Sequence, residues 1–306
     1  MWSGPLPSLE VREYIQYKGA ELTNRYASKV WWRDQFKRYV EYPVHRTVSS
    51  DKLQSPVRVM DEEWDTLIVL DACRSDLFEA MVDMDLFESY KRVNSGASST
   101  REWIKRQFHG TAWHNTVYVS GQPVPAKALQ APFHAFLEPW RDTPSDVLAT
   151  PPERVAEAAL TAAETFPDKR LLIHFFQPHF GPPETLELLE DGSVEVQHIW
   201  EALDRDLVET DDVWQAYQQN LQSVLDVVYQ LIDALDGRIV VSSDHGNLFG
   251  DRISPFLFEE VGHPGGLRHP DLVEVPWAVA SQSDRTTRDT TDIDATLSAL
   301  GYMSDG

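Results

Sequence analysis

Trp64-Asp65-Thr66-Leu67-Ile68-Val69-Leu70-Asp71 is an apolar run that ends on a carboxylate. Far along the chain, Arg238-Ile239-Val240-Val241-Ser242-Ser243-Asp244-His245-Gly246 repeats the pattern. Short runs of β-branched and aliphatic residues predict strands buried on both faces, as in a parallel sheet. In an open sheet of that kind, ligands sit just beyond the carboxyl ends of the strands. Asp71, Asp244 and His245 are therefore expected in one crevice. Hard oxygen and imidazole ligands suit a divalent cation, and a cation in such a crevice suits chemistry on an anionic ester. A lone Asp at a strand end commonly caps a turn or helix. Asp-His-Gly after a β run, answered by a second strand ending in Asp, favours a site.

Outward from these strands the chain alternates. Residues 65–71, 90–94, 115–119, 170–176 and 238–243 read as strands, and 75–88, 98–109, 152–165 and 211–235 as helices. This rhythm predicts an α/β fold, a mostly parallel central sheet with helices on both faces joined by right-handed crossovers. Seven of the 19 prolines fall in 122–152, which predicts an ordered, irregular insertion. Before the sheet, residues 8–42 mix aromatics and charges at helical spacing, from Val11 and Tyr14 through Trp31, Trp32 and Phe36 to Val40. Pro43 and Pro56 bracket a polar connector. The expected organisation is a helical N-terminal arm and connector over 1–56 and an α/β domain over 57–306.

At 306 residues the chain can bury a sizeable core. Its 49 Asp and Glu against 27 Lys and Arg give a net charge of −22, spread along the whole length. Such a field disfavours nucleic acid and anionic membrane surfaces, and the sequence shows no local basic patch. Acidity of this extent is what proteins of high-salt cytoplasms show. One cysteine, Cys73, excludes an internal disulfide framework and a cysteine-based zinc site. It reads as a small residue packed against the first helix of the domain. There is no membrane span, and the N-terminus lacks the basic-then-apolar pattern of a signal peptide. The expected location is cytoplasmic.

Five motifs in order carry a family likeness: Leu70-Asp71-Ala72-Cys73-Arg74; Ser98-Ser99-Thr100 opening a helix; His174-Phe175-Phe176-Gln177-Pro178-His179; Ser243-Asp244-His245-Gly246; and Gly262-His263-Pro264 ahead of Val275-Pro276. With a tail at 292–301, they resemble the alkaline phosphatase superfamily, in the sulfatase-like branch that also holds lipoteichoic acid synthases. The resemblance implies a hydroxyl nucleophile at the helix start. There the positive helix end favours an anion, and an adjacent metal would lower the hydroxyl's pKa. Ser95, Ser98, Ser99 and Thr100 compete for the role; Ser98 is preferred and Thr100 second, because Thr100-Arg101-Glu102-Trp103 already reads as helix. The resemblance places His179 where the transferred group is held and His263, with His269 as substitute, ahead of the last strand. His174, among apolar neighbours, reads as a core histidine.

The departures narrow this expectation. Neither Cys73-Arg74-Ser75-Asp76 nor the Ser98 region has the Cys/Ser-x-Pro-x-Arg pattern that sulfatases mature, which argues against formylglycine chemistry. Ala72 stands where sulfatases tend to have a second Asp, and Asn247 where a Glu usually follows Asp-His-Gly. No Asp precedes His179 as in the two-metal enzymes. A single divalent ion is expected on Asp71, Asp244, His245 and the nucleophile oxygen. Imidazole favours Mn²⁺ or Zn²⁺ over Ca²⁺ or Mg²⁺. The expected activity is hydrolysis or transfer of a phosphate or sulfate ester of a small molecule or glycan. The rivals are a phosphoglycerol- or phosphoethanolamine-type transferase and a non-catalytic binder of anionic glycans.

Overall fold

Alternation within the buried runs sets the layers. Along β1 (Thr66–Asp71), Ile68 and Leu70 face one side of the sheet and Leu67 and Val69 the other, all fully buried. A strand covered on both sides has no polar face, so its sequence reads as a continuous apolar run. The computed structural model describes residues 29–48, 53–129, 132–143, 149–179, 199–253 and 258–281. The other strands are β2 (Ser89–Asn94), β3 (Trp113–Ser120), β4 (Phe133–Leu137), β5 (Arg170–Pro178), β6 (Arg238–Ser243), β7 (Leu248–Ile253), β8 (Phe258–Gly262) and β9 (Glu274–Ser281).

Seven of them form one sheet in the order β2-β9-β6-β1-β5-β3-β4. Strands β6, β1, β5, β3 and β4 run parallel, while β9 is antiparallel to both neighbours. Strands β7 and β8 form a separate antiparallel hairpin. The expected α/β architecture is the observed one.

The helices are α1 (Lys29–Phe36), α2 (Tyr42–Val48), α3 (Ser75–Met81), α4 (Thr100–Phe108), α5 (Pro123–Ala128), α6 (Pro152–Thr165), α7 (Ile199–Asp204), α8 (Thr210–Ala234) and α9 (Pro270–Val273). On one face of the sheet, Phe78 of α3, Val155 and Ala159 of α6, and Tyr217, Leu221 and Val224 of α8 share an apolar layer with Ile68, Ile173 and Ile239. On the other, Trp103, Ile104 and Phe108 of α4 pack with Trp64, Leu67, Val240 and Trp277.

Helix α6 spans the expected residues, with Pro152 in the first turn where a missing N–H costs nothing. The helix expected over 75–88 stops at Met81, because Asp83 caps a separate turn by accepting from Asp85 N. The proline-rich stretch is more regular than expected. It contains α5 and the edge strand β4, whose half-buried residues carry a weaker pattern than the core strands. In the N-terminal arm, α1 continues through a π turn at Lys37–Glu41 into α2, which runs past Pro43. Residues 8–28 and the tail at 292–301 lie outside the described residues. No described helix is long and apolar enough to cross a membrane.

Candidate metal centre

Strands β1 and β6 are neighbours, so their carboxyl ends deliver Asp71 and Asp244 side by side. Both carboxylates and His245 are buried, and one ligand atom from each lies within 4.8 Å of the others. His245 Nε2 is 3.5 Å from Asp71 Oδ1 and 3.6 Å from Asp244 Oδ2. The backbone fixes this geometry. Ala72, at φ 60°, turns the chain sharply after β1, and its N–H donates to Asp244 Oδ1 at 3.0 Å. A non-glycine residue in the left-handed region costs about 1–2 kcal/mol, here offset by that bond. Gly246 permits the matching turn on β6: a Cβ there would lie 2.1 Å from the Asp271 carbonyl oxygen.

The donor set fits a divalent cation. His245 Nδ1 is 2.8 Å from the Gly246 carbonyl, which only accepts, so Nδ1 carries a proton and Nε2 is the ring atom turned to the carboxylates. Asp244 Oδ2 is buried with no hydrogen-bond partner among the described residues. Two buried carboxylates this close are costly without a compensating charge. Burial, and then the charge of Asp244, holds the Asp71 pKa well above the usual carboxylate range, against hydrogen bonds from Gln122 and Thr100. A cation of charge +2 bound by Asp71, Asp244 and His245 would remove both penalties.

The four hydroxyls near α4 divide sharply. Ser95 bonds to its own loop at Ala97. Ser98 Oγ donates to Pro264 O at 2.9 Å and accepts from Gly266 N at 2.8 Å. Ser99 is the N-cap, its oxygen accepting from Glu102 N. Thr100, the first residue of α4, places Oγ1 3.3 Å from Asp71 Oδ1 and 3.4 Å from His245 Nε2. The structure thus brings Thr100, not Ser98, to the carboxylates. With Ser99 as cap, the residue before it points away from the helix toward the 262–268 loop, and the residue after it faces the strand ends. Ser99-Thr100-Arg101-Glu102 has the spacing of a capping box, the signal that could have distinguished them.

His179 follows β5, and its Nε2 lies 3.1 Å from His263 Nε2. The His263 ring sits 4.6 Å, centroid to centroid, from that of His245, so the three imidazoles adjoin the carboxylates in one group. Burial, then the neighbouring His245 and His179, pushes the His263 pKa well below its ordinary value. His269 is elsewhere: it caps α9, accepting from Asp271 N, and faces Asp271.

In the layer beneath, no sequence motif singles out Gln122 or Tyr118. Gln122 donates to Asp71 Oδ2 at 2.6 Å. His174, fully buried as expected of a core histidine, bonds Tyr118 OH through Nδ1 at 2.8 Å and reaches within 3.8 Å of Asp244 Oδ2. Burial lowers its pKa to about 4, opposed by the charge of Asp244, so the ring is neutral. Arg74 is held by Asp76, Asp251 and Asp271 and donates to the Asn247 carbonyl at 3.2 Å, which pins the segment after His245. Asn247 Nδ2 donates to Ala72 O at 3.4 Å, tying the two strand-end turns together. Cys73 is buried, and its thiol pKa is raised by burial.

No family model matches the chain, and no curated protein matches it either. Among solved structures it is similar to the periplasmic domain of a phosphoethanolamine transferase from Campylobacter jejuni, at 11% identity over 83% of this chain and 91% of that one, with a TM-score of 0.44. It is also similar to a phosphonate monoester hydrolase of Agrobacterium radiobacter, at 13% identity over 71% and 67%, TM-score 0.47. A lipoteichoic acid synthase from Listeria monocytogenes follows at 10% identity over 72% and 66%, TM-score 0.40. At such identities the chemistry of this chain rests on the geometry of its own site.

Proposed function

We propose that this chain is a metal-dependent hydrolase or transferase of phosphate or sulfate esters, with Thr100 as the nucleophile. The observation that carries the proposal is the Thr100 hydroxyl, within hydrogen-bond reach of both Asp71 and His245 at the N-terminus of α4. Asp71, Asp244 and His245 would hold the ion, with Mn²⁺ or Zn²⁺ favoured by the imidazole ligand. When bound, a divalent ion supplies positive charge that lowers a hydroxyl pKa and offsets charge on a transferred group.

The protein groups divide the remaining work. Thr100 Oγ1 gives its proton to Asp71 Oδ1, with which it is hydrogen-bonded, and attacks phosphorus or sulfur in line as the bond to the leaving oxygen breaks, while the positive end of α4 favours the anion there. Gln122 holds Asp71 in place, and the neutral His174 supports Gln122 from below. His179 and His263 face the equatorial oxygens or give a proton to the leaving oxygen. The covalent Thr100 ester then passes to water or to an acceptor alcohol. The overall acidity supports a high-salt cytoplasm as the working medium.

Metal-dependent stability tests the reading without a known substrate. An ion that binds only the folded state raises stability by about 2.7 kcal/mol at a hundredfold excess over its Kd. Mn²⁺ or Zn²⁺ should raise the melting temperature of the chelator-treated protein, and Asp244→Ala should abolish the rise. Parallel assays with nitrophenyl phosphate, bis-nitrophenyl phosphate and nitrophenyl sulfate then assign the ester. Metal binding without turnover of any of them would favour the glycan-binding rival, and no metal response would sink the centre itself.

A further inference from the structure

The long helices of the domain share the acidity of the chain. Helix α8 carries Asp211, Asp212, Asp226 and Asp233 with no Lys or Arg, and α6 carries three Glu against one Arg. Helix α4, which begins with Thr100, reverses the pattern: its exposed residues are Arg101, Lys105 and Arg106. Its one carboxylate, Glu102, is turned away, pairing with Arg268 and accepting from Ser98 N and Gly266 N. Among the described residues, no carboxylate pairs with any of the three exposed cations; Arg106 donates to Gly96 O at 3.4 Å. Along the sequence Glu102 interrupts these cations, which is why no basic patch is expected there; the fold makes one.

Helix stability accounts for two of these charges and not for the third. Lys105 and Arg106 lie in the last turn, where the negative end of the helix favours cations. Arg101 lies in the first turn, beside the positive end and next in sequence to Thr100, where a divalent ion would add charge of the same sign. An exposed, unpaired cation there is unfavourable until an anion joins it. Arg101 and Lys105 are four residues apart and share a face, and Lys105 stands about 7.5 Å along the axis from Thr100. A reacting ester at Thr100 leaves both without a partner, whereas a second anionic group on the same molecule supplies one. We propose that Arg101 and Lys105, with Arg106 beside them, form a subsite for a second phosphate or sulfate group of the substrate, which is therefore an oligoanion and not a simple monoester. The proposal rests on the reading of Thr100 as the nucleophile. The net charge of −22 repels such a molecule elsewhere, so the basic face also directs it towards the start of α4. A nucleic-acid duplex fits less well, because nine residues of helix span only about 13 Å and the net charge opposes a larger polyanion.

Titration calorimetry of the full chain tests it, at the lowest KCl concentration that keeps the protein folded. The probes are sucrose octasulfate, a small oligoanion, and methyl sulfate, a single sulfate ester. The octasulfate should bind at least about tenfold more tightly, and Arg101→Gln combined with Lys105→Gln should remove about tenfold of that affinity. Lys91→Gln combined with Arg141→Gln changes the net charge equally through two exposed cations outside α4, and should alter binding by less than about twofold. Mn²⁺ should tighten octasulfate binding in the parent and not in Asp244→Ala. An unchanged melting temperature shows that the variants fold. Equal affinity for the two probes, no loss in the α4 pair, or an equal loss in the matched pair would overturn the proposal. So would a DNA duplex bound more tightly than octasulfate through the same two residues, or a dimer in sedimentation velocity that the α4 pair abolishes. If Mn²⁺ raises the melting temperature and leaves octasulfate binding unchanged, the face does not serve the centre and the proposal falls. If Mn²⁺ moves neither, the reading of the centre has failed, and the subsite with it.

Discussion

The crevice and the arm both bury charge, and they do so on different supports. Asp71 and Asp244 stand on adjacent central strands with fully buried neighbours, and fixed donors from Ala72, Gln122 and the His245 backbone hold them. Lys37 and Glu41 sit on a single irregular helix whose outward face is apolar and exposed. Charge held by the core is preorganised, since its geometry cannot relax without opening the sheet. Charge held by a peripheral helix can leave with that helix. The first arrangement suits chemistry, the second a segment that can open apart from the core.

The largest effect should come from breaking the crevice at one atom. Thr100→Ala removes the hydroxyl beside Asp71 and should cut turnover of the responsive ester by at least about a thousandfold, roughly 4 kcal/mol of barrier. Metal-dependent stabilisation should persist, because the three other ligands remain. Ser98→Ala removes two of the bonds that hold the 262–268 loop at the start of α4, while Glu102 still binds Gly266 N and Arg268, and should cost far less turnover, through a slightly misplaced His263. Steady-state kinetics on both variants decide this: a full loss in Ser98→Ala with Thr100→Ala active would return the role to Ser98.

That pair marks where the sequence stopped being legible. Strands β1, β5 and β6 stand out because double burial writes them as mostly apolar runs, broken in β5 only by His174 between Ile173 and Phe175, and parallel neighbours then place Asp71 beside Asp244. Helices α6 and α8 were equally plain, since long periodic segments announce themselves. Gln122 and Tyr118 could not be read in the same way. They reach the site because β3 lies next to β5 in the sheet, an order that no local pattern encodes. Ser98 and Thr100 differ by one step on either side of a cap, and a hydroxyl's direction there depends on which residue starts the helix. That Lys37, Glu41 and His45 of the arm face the body was hidden for a related reason: mixed aromatics and charges show a helix but not which face meets the body.

A second effect should separate body from arm through salt. The net charge of −22 makes the folded body repel itself, and salt screens that repulsion. Transfer from molar KCl to dilute buffer should therefore lower the melting temperature, by roughly 2–4 °C for each ~1 kcal/mol lost. The arm should respond in the opposite direction, because its contacts are attractions between unlike charges: Arg33 with Asp204 and Lys37 with Glu260. Hydrogen exchange across 29–48, expressed relative to α8, should thus be slower in dilute buffer. Equal melting temperatures in the two media would refute adaptation to high salt. Parallel changes in arm and body would show the two regions to be one unit.

The smallest effect concerns Glu41, and it has a definite sign. The side chain is fully buried, and neither carboxylate oxygen has a hydrogen-bond partner among the described residues. Burial, followed by the charge of Glu260, raises its pKa, with Lys37 opposing. A folded-state pKa above the unfolded one means that the docked arm binds the proton more tightly than the undocked arm. Docking is therefore favoured fully below the ordinary carboxylate pKa, and that advantage is lost as pH rises through the raised value. Protection factors of amides in 29–48 should increase as pH falls from neutral towards the ordinary carboxylate range, by severalfold at most, while those of α8 stay level. Glu41→Gln keeps the shape without the charge, so it should flatten this dependence and leave the arm at pH 7 at least as protected as in the parent. A rise of equal size in Glu41→Gln would move the effect to another group of the arm, and a matching rise in α8 would mean that the arm never opens apart from the core.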